Sequence, residues 1–299
     1  VVFAAVGAAL IYAQIKFKRK PGDGDPAQTH GHTLLEIGWI VLPVIVLAVV
    51  AVPTVITIFY NANSPDPDAL TINVTGHQWW WEFEYPHPTD NDSYVSVSNE
   101  LHIPAGEVVN INLESKDVLH SFWIPKLAGK VDMIPTQKNS LWIQSDSTGE
   151  FLGQCAEFCG AAHAWMRFRV IASPKAEFEK WLLSQSQPGD VPSDGSLAQE
   201  GKAIFEGKQA ECWVCHSIKG SDRSRGQTGP DLTHLASRNH IGAGLLENTP
   251  ENIKSWLTRS DEVKPGNLMY KNARVFSDPE RKLSTEQVSA LIAYLTSLR

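Results

Sequence analysis

Two cysteines, a histidine and a methionine lie within twelve residues of this chain: Cys155, Cys159, His163 and Met166, in the stretch GQCAEFCGAAHAWM at 153–166. Thiolate, imidazole and thioether together are a donor set that suits copper. A single blue-type copper takes one cysteine, two histidines and a weak axial methionine, so two cysteines in one loop exceed that set. Two bridging thiolates can instead hold two coppers that share one unpaired electron, each with its own imidazole. His163 supplies one imidazole. The best candidate for the other is His120, in DVLHSFWIP at the end of a strand-like run.

A second cluster, Cys212-Trp213-Val214-Cys215-His216, has the C-x-x-C-H spacing of covalent haem attachment. Its two thiols can add to the haem vinyl groups while His216 reaches the iron. A c-type haem takes methionine or histidine as sixth ligand, and Met269 is the only methionine in residues 196–299. Zinc is the rival, but it would want a second Cys/His pair, and no cysteine follows Cys215. Disulfides would not call for a histidine at a short fixed offset from each cysteine pair. A chain with both clusters reads as an electron relay.

The elements that must carry these loops differ along the chain. From about 69 to 172, short alternating or aromatic-rich runs such as LTINVTG, QWWWEFEY and EVVNINLES are separated by turn residues, which indicates a sandwich or barrel. Ser173-Pro174 reads as an N-cap with proline at the first helical position, followed by the helix KAEFEKWLLSQ. QSQPGDVPSDG then reads as a polar linker. Beyond it the pattern is helical. Ser196 with Gln199, and Ser284 with Gln287, fit capping boxes, and Val288, Leu291, Ile292 and Leu295 form an apolar stripe.

Residues 37–60 hold no charged side chain, and about 20 apolar residues suffice to span a bilayer as a helix. Residues 1–15 form a second, shorter apolar run, followed by Lys16, Lys18, Arg19 and Lys20. A signal peptide would carry its positive charge before the run, so this one reads as a membrane helix, with the basic loop cytoplasmic and everything after residue 60 outside. The net charge of −7 is uneven, since residues 61–195 hold 8 basic and 18 acidic side chains and residues 196–299 hold 14 and 12. An acidic middle and a mildly basic end are compatible with electrostatic docking of one on the other.

The last segment resembles a class I cytochrome c in its first helix, CWVCH, TGPDL at 228–232, the methionine loop and the amphipathic last helix. The resemblance implies that Pro230 buttresses His216; His234 and His240 read as surface or haem-propionate neighbours. VLHSFWIP, GQCAEFCGAAHAWM, GHQWWW at 76–81 and the two N-terminal helices resemble the binuclear copper (CuA) subunit II of cytochrome c oxidase, and with a cytochrome behind it the whole resembles subunit II of caa3-type oxidases. The expected fold is multi-domain: a two-helix transmembrane hairpin at 1–62 (helices about 1–17 and 37–60), a cupredoxin-like β-sandwich or barrel with trailing helix at 69–183, a linker at 184–195, and an all-α cytochrome c domain at 196–299.

The resemblance implies copper ligation by His120, Cys155, Cys159, His163, Met166 and the backbone carbonyl of Glu157, whose carboxylate turns to Mg2+ or Mn2+ at the interface with subunit I. It implies electron uptake through Trp79 and proton uptake at Glu36; core packing of the tryptophans and a helix-start acid are the bland alternatives. The implied partners are oxidase subunits I and III, a cytochrome c donor and the lipid bilayer of a bacterial cell, with no nucleic acid. Two other readings are a membrane-anchored carrier serving another reductase and a copper chaperone.

Overall fold

The computed structural model describes residues 1–28, 30–190 and 192–299, so Val191 of the expected linker lies outside the described residues. The chain divides into two units, Val1–Ile56 and Thr57–Arg299. In the first, α1 (Val2–Lys16) and most of α2 (Thr33–Ala62) carry apolar, exposed side chains. Among the described residues only α2 is long and apolar enough to cross a membrane. Two apolar helices stand where helices were expected at about 1–17 and 37–60, α1 being the shorter. α2 also starts four residues earlier than its uncharged run, taking Glu36 into its first turn.

Thr57–Arg299 contains the β domain and the helical domain. Ten strands form two sheets. One has the order β3 (Tyr94–Ser98), β2 (Trp80–Pro86), β1 (Leu70–His77), β5 (Val108–Ser115), β8 (Asn139–Gln144); the other, β4 (Glu100–Pro104), β10 (Arg167–Ser173), β9 (Gly149–Cys155), β6 (His120–Trp123), β7 (Val131–Met133). β1 with β5 and β4 with β10 pair in parallel, and the other ladders are antiparallel. Strand alternation turns Ile72, Val74, Trp81, Phe83, Ile111, Leu113 and Phe168 into one buried core. The Phe168 ring stacks on Phe122 at 4.9 Å and lies 5.1 Å from Trp81. Gly153 makes room for it, because a Cβ there would sit 2.1 Å from the Phe168 ring.

α3 (Lys175–Gln185) packs Phe178 and Leu182 on this core. Its cap differs from expectation: Ser173 still belongs to β10, and Pro174 occupies the N-cap without a side-chain bond.

The helical domain runs from α4 (Leu197–Phe205) through α5 (Pro250–Val263), α6 (Leu268–Asn272) and α7 (Arg274–Ser277) to α8 (Thr285–Leu295). Ser284 and Gln287 form the reciprocal capping box of α8, and Ser196 accepts from the Gln199 N–H at the start of α4. α4 crosses α8 at Gly201, where a Cβ would lie 2.0 Å from the Ala290 carbonyl oxygen. Phe205, Ile253, Leu291, Tyr294 and Leu298 fill the core between them.

Candidate copper and haem sites

β9 ends at Cys155 beside the short strand β6, with Phe122 opposite Cys155. The returning chain is tied by Cys155 N–H to Met166 O at 3.0 Å and Ala156 N–H to Ser121 O at 2.9 Å. These bonds close the loop 156–165 over the end of the sheet and bring the outside histidine to it. Ligand atoms of His120, Cys155 and Cys159 all lie within 4.8 Å of one another. The two sulfurs are 3.8 Å apart, and Cys155 Sγ is 3.8 Å from His120 Nδ1 and 3.2 Å from Glu157 O. Cys159 Sγ is 3.5 Å from His163 Nδ1 and 3.8 Å from Met166 Sδ. His120 and Met166 are fully buried, and both cysteines nearly so.

The donor set fits a pair of soft copper ions. The hydrogen bond between the two sulfurs lowers the Cys155 thiol and raises the Cys159 thiol, which keeps its proton. Both become ligands only when positive charge replaces that proton.

Asp117 was not singled out from sequence. It accepts from His120 Nε2 at 2.8 Å and from the Gln78 and Val118 N–H groups at 2.7 Å each. A carboxylate on Nε2 puts the proton there and leaves the Nδ1 lone pair facing the sulfurs. Its only sequence signal was a position three residues before a ligand histidine. Gly76 lies against the same ring: a Cβ there would be 3.0 Å from His120 Cδ2.

The three tryptophans of GHQWWW have separate places. Trp81 is core, Trp80 stacks on His77 at 4.0 Å, and Trp79 lies on the copper loop, its Nε1 donating to Cys159 O at 2.9 Å. Gln78 Nε2 donates to the same carbonyl at 2.7 Å. Glu157 is exposed beside Phe158, which is 75 % exposed. Glu36 stands in the first turn of α2.

In the helical domain, Cys212–Val214 form a single 3-10 turn, and His216 N–H donates to Cys212 O at 3.0 Å. No disulfide joins the four cysteines among the described residues. His216 Nδ1 is 2.7 Å from the Pro230 carbonyl. A carbonyl only accepts, so Nδ1 carries the proton and Nε2 keeps its lone pair for a metal. Burial lowers the His216 pKa, which also favours the neutral ring. Gly229 permits the approach, since its Cβ would lie 2.7 Å from His216 Cε1. The contact shown between Pro230 and His216 is this carbonyl hydrogen bond. Met269 sits in the first turn of α6, half-buried, behind an Asn267 cap. Met269 makes no hydrogen bond with His216 among the described residues. Thiol pair, imidazole with a free nitrogen and thioether are the donors a covalent haem uses.

His234 is buried and His240 partly buried. His234 is 5 % exposed, its Nε2 3.0 Å from Gln187 O. His240 lies beside Glu100 of β4, whose carboxylate, 2 % exposed, accepts from the Asn239 and His240 N–H groups at 2.8 Å each. Arg169 Nη2 donates to Gly244 O at 3.2 Å. Ser186 of the expected linker is buried, and the Lys219 ammonium donates to its carbonyl. Lys264 is also buried, and burial lowers its pKa to about 7.

A cupredoxin-like β domain with a sulfur-rich loop, joined to a C-x-x-C-H helical domain, defines an electron-transfer protein. Residues 1–56 match the family "Cytochrome C oxidase subunit II, transmembrane domain", residues 88–173 "Cytochrome C oxidase subunit II, periplasmic domain", and residues 198–299 "Cytochrome c". The chain is 39% identical over 290 residues to cytochrome c oxidase subunit 2 of Alkalihalophilus pseudofirmus, covering 95% of this chain and 79% of that one. It is 34% identical over 306 residues to the Bacillus subtilis protein of the same name, covering 96% and 82%. It is also similar to the solved periplasmic domain of subunit II of cytochrome oxidase from Bradyrhizobium japonicum (31% identity, 40% of this chain and 95% of that one, TM-score 0.37). The chain belongs to the cytochrome c oxidase subunit II family, in the form with a fused cytochrome c domain. Its role is electron transfer into a haem-copper oxidase, with its outer domains anchored to a membrane.

Proposed function

We propose that this chain is the two-pass subunit II of a bacterial caa3-type oxidase, with a membrane hairpin at 1–62, a copper domain at 69–183, a linker at 184–195 and a cytochrome domain at 196–299. The observation that carries this reading is the convergence of His120, Cys155, Cys159, His163, Met166 and the Glu157 carbonyl around two sulfurs 3.8 Å apart. Those six groups hold two coppers, and Cys212, Cys215, His216 and Met269 hold haem c. When bound, these groups supply one-electron centres that relay charge from an outside cytochrome c donor toward subunit I.

The protein's own part is to keep the ligands rigid. Asp117 fixes the His120 tautomer and the Pro230 carbonyl fixes that of His216. Electrons reach the copper loop through Trp79, which bonds the Cys159 carbonyl. The exposed Glu157 carboxylate is free to hold Mg2+ or Mn2+ against subunit I. Glu36 takes up protons at the cytoplasmic end of α2, and subunit III completes the complex.

Metal analysis of the purified complex tests the ligand set. Two coppers per covalent haem in this subunit, with copper EPR hyperfine structure from an electron shared over both ions, are expected. A single-copper signal would sink the assignment.

A further inference from the structure

The segment Lys264-Pro265-Gly266-Asn267-Leu268-Met269 joins α5 to the expected haem ligand and at the same time touches the copper domain. Lys264 is 4 % exposed, and its ammonium donates to the backbone carbonyl of Trp79. Asn267 is equally buried and bonds the Lys264 carbonyl at 2.9 Å. Gly266, at φ +79°, faces the copper loop so closely that a Cβ would lie 2.9 Å from Ala161 Cβ. Leu268 packs against the cluster that contains Trp79, Cys159 and Met166. Trp79 itself is 8 % exposed.

We propose that Lys264 is a positioning residue that latches the Met269 loop onto Trp79, and that the latched loop closes Trp79 to an outside donor, leaving the cytochrome domain as the only way in. The inference rests on the copper and haem ligation proposed above. In the step concerned, one electron leaves the haem iron, which goes from ferrous to ferric, and one is gained by the copper pair; no bond is made or broken.

Burying an ammonium costs free energy unless it is hydrogen-bonded. A buried lysine therefore contributes register more than net stability, because only one placement of the loop satisfies it. The neighbours are suited to that placement: a glycine where a side chain would strike Ala161, and an apolar residue beside the ligand.

The test uses the full chain in the assembled oxidase. Lys264→Met removes the donor and Lys264→Gln keeps one. Backbone hydrogen exchange is read over 156–162 and 264–270, and haem and copper reduction are followed separately after rapid mixing with a reduced cytochrome c. In the unaltered protein the copper is expected to be reduced only after the haem. Lys264→Met is expected to speed exchange in both segments by about tenfold, equivalent to about 1.4 kcal/mol, and to slow haem-to-copper transfer. Lys264→Gln should restore both, with haem and copper spectra unchanged in either variant. Exchange and transfer unaltered by Lys264→Met, or copper reduced ahead of haem in the unaltered protein, would overturn the proposal. If the same samples lack the two-copper signature, the ligand reading fails instead, and the exchange measurement still decides the latch.

Discussion

Asp117 does for His120 what the Pro230 carbonyl does for His216: each accepts from one ring nitrogen and so presents the other to the sulfurs or to the iron. Ligand type is a property of one side chain, but ligand readiness belongs to a pair. Replacing Asp117 with alanine leaves all six copper donors in place and frees the ring to turn. Copper affinity is expected to fall by about 10–100-fold, read by competition with a chelator. Gly229→Ala acts on the other imidazole by volume, since its Cβ meets His216 Cε1 at 2.7 Å. Weakened ligation of the haem iron, seen as a changed absorption spectrum with haem still covalently attached, is the expected result. At this scale much was legible. The structure brings His120, Cys155, Cys159 and His163 close together and bonds His216 Nδ1 to the Pro230 carbonyl. Asp117 was not, because a carboxylate in a polar turn looks the same in sequence whether or not an imidazole faces it.

The elements hold these residues by filling space tightly at a few crossings. Phe168 sits between Trp81 and Phe122 directly beneath the copper loop, with Gly153 under its ring. Phe168→Ala should cost about 3–5 kcal/mol, measured by denaturant unfolding of the full chain, and loosen the loop above it. In the cytochrome domain, Gly201→Val would press a side chain into the Ala290 carbonyl and force α4 off α8; a loss of about 1–3 kcal/mol or more is expected by the same measurement. The strand-rich middle and the helical end were legible from periodicity, and the α8 capping box from Ser284 and Gln287. The Pro174 cap was misread because strand β10 runs one residue further, held by its pairing with β4 through Ser173.

Across the whole outer region, the contacts between the two folded domains are buried and specific. The unequal net charge was compatible with electrostatic docking of one domain on the other. At the contact, single groups interlock: Glu100 with the Asn239 and His240 N–H groups, Arg169 with Gly244, Lys264 with Trp79. Burial alone would raise Glu100, but the His102 and His240 imidazoles beside it, at 3.8 and 3.6 Å, and the His240 N–H that donates to it hold it at about 2, below its ordinary 4.5. A carboxylate lowered in the folded state contributes stability that is full above its unfolded value and is lost as pH falls toward the folded one. Docking of the two domains is therefore expected to weaken as pH falls from about 4.5 to about 2. In Glu100→Gln that acid-sensitive component should be missing. Hydrogen exchange of residues 239–244 against pH checks both.

The amino-acid sequence by itself pointed to a soft-metal site and a covalent haem site, because donor identity is written in side-chain type and most of the donors lie on short loops: C-x3-C-x3-H-x2-M and C-x2-C-H. Only the tertiary structure decided which carboxylate orients His120, which histidines are buried, and how the haem loop meets the copper loop. Trp79 and Lys264 are 185 residues apart, and Glu100 and His240 are 140. No period or local spacing connects such pairs. They are brought together by the closing of two separate cores against one another.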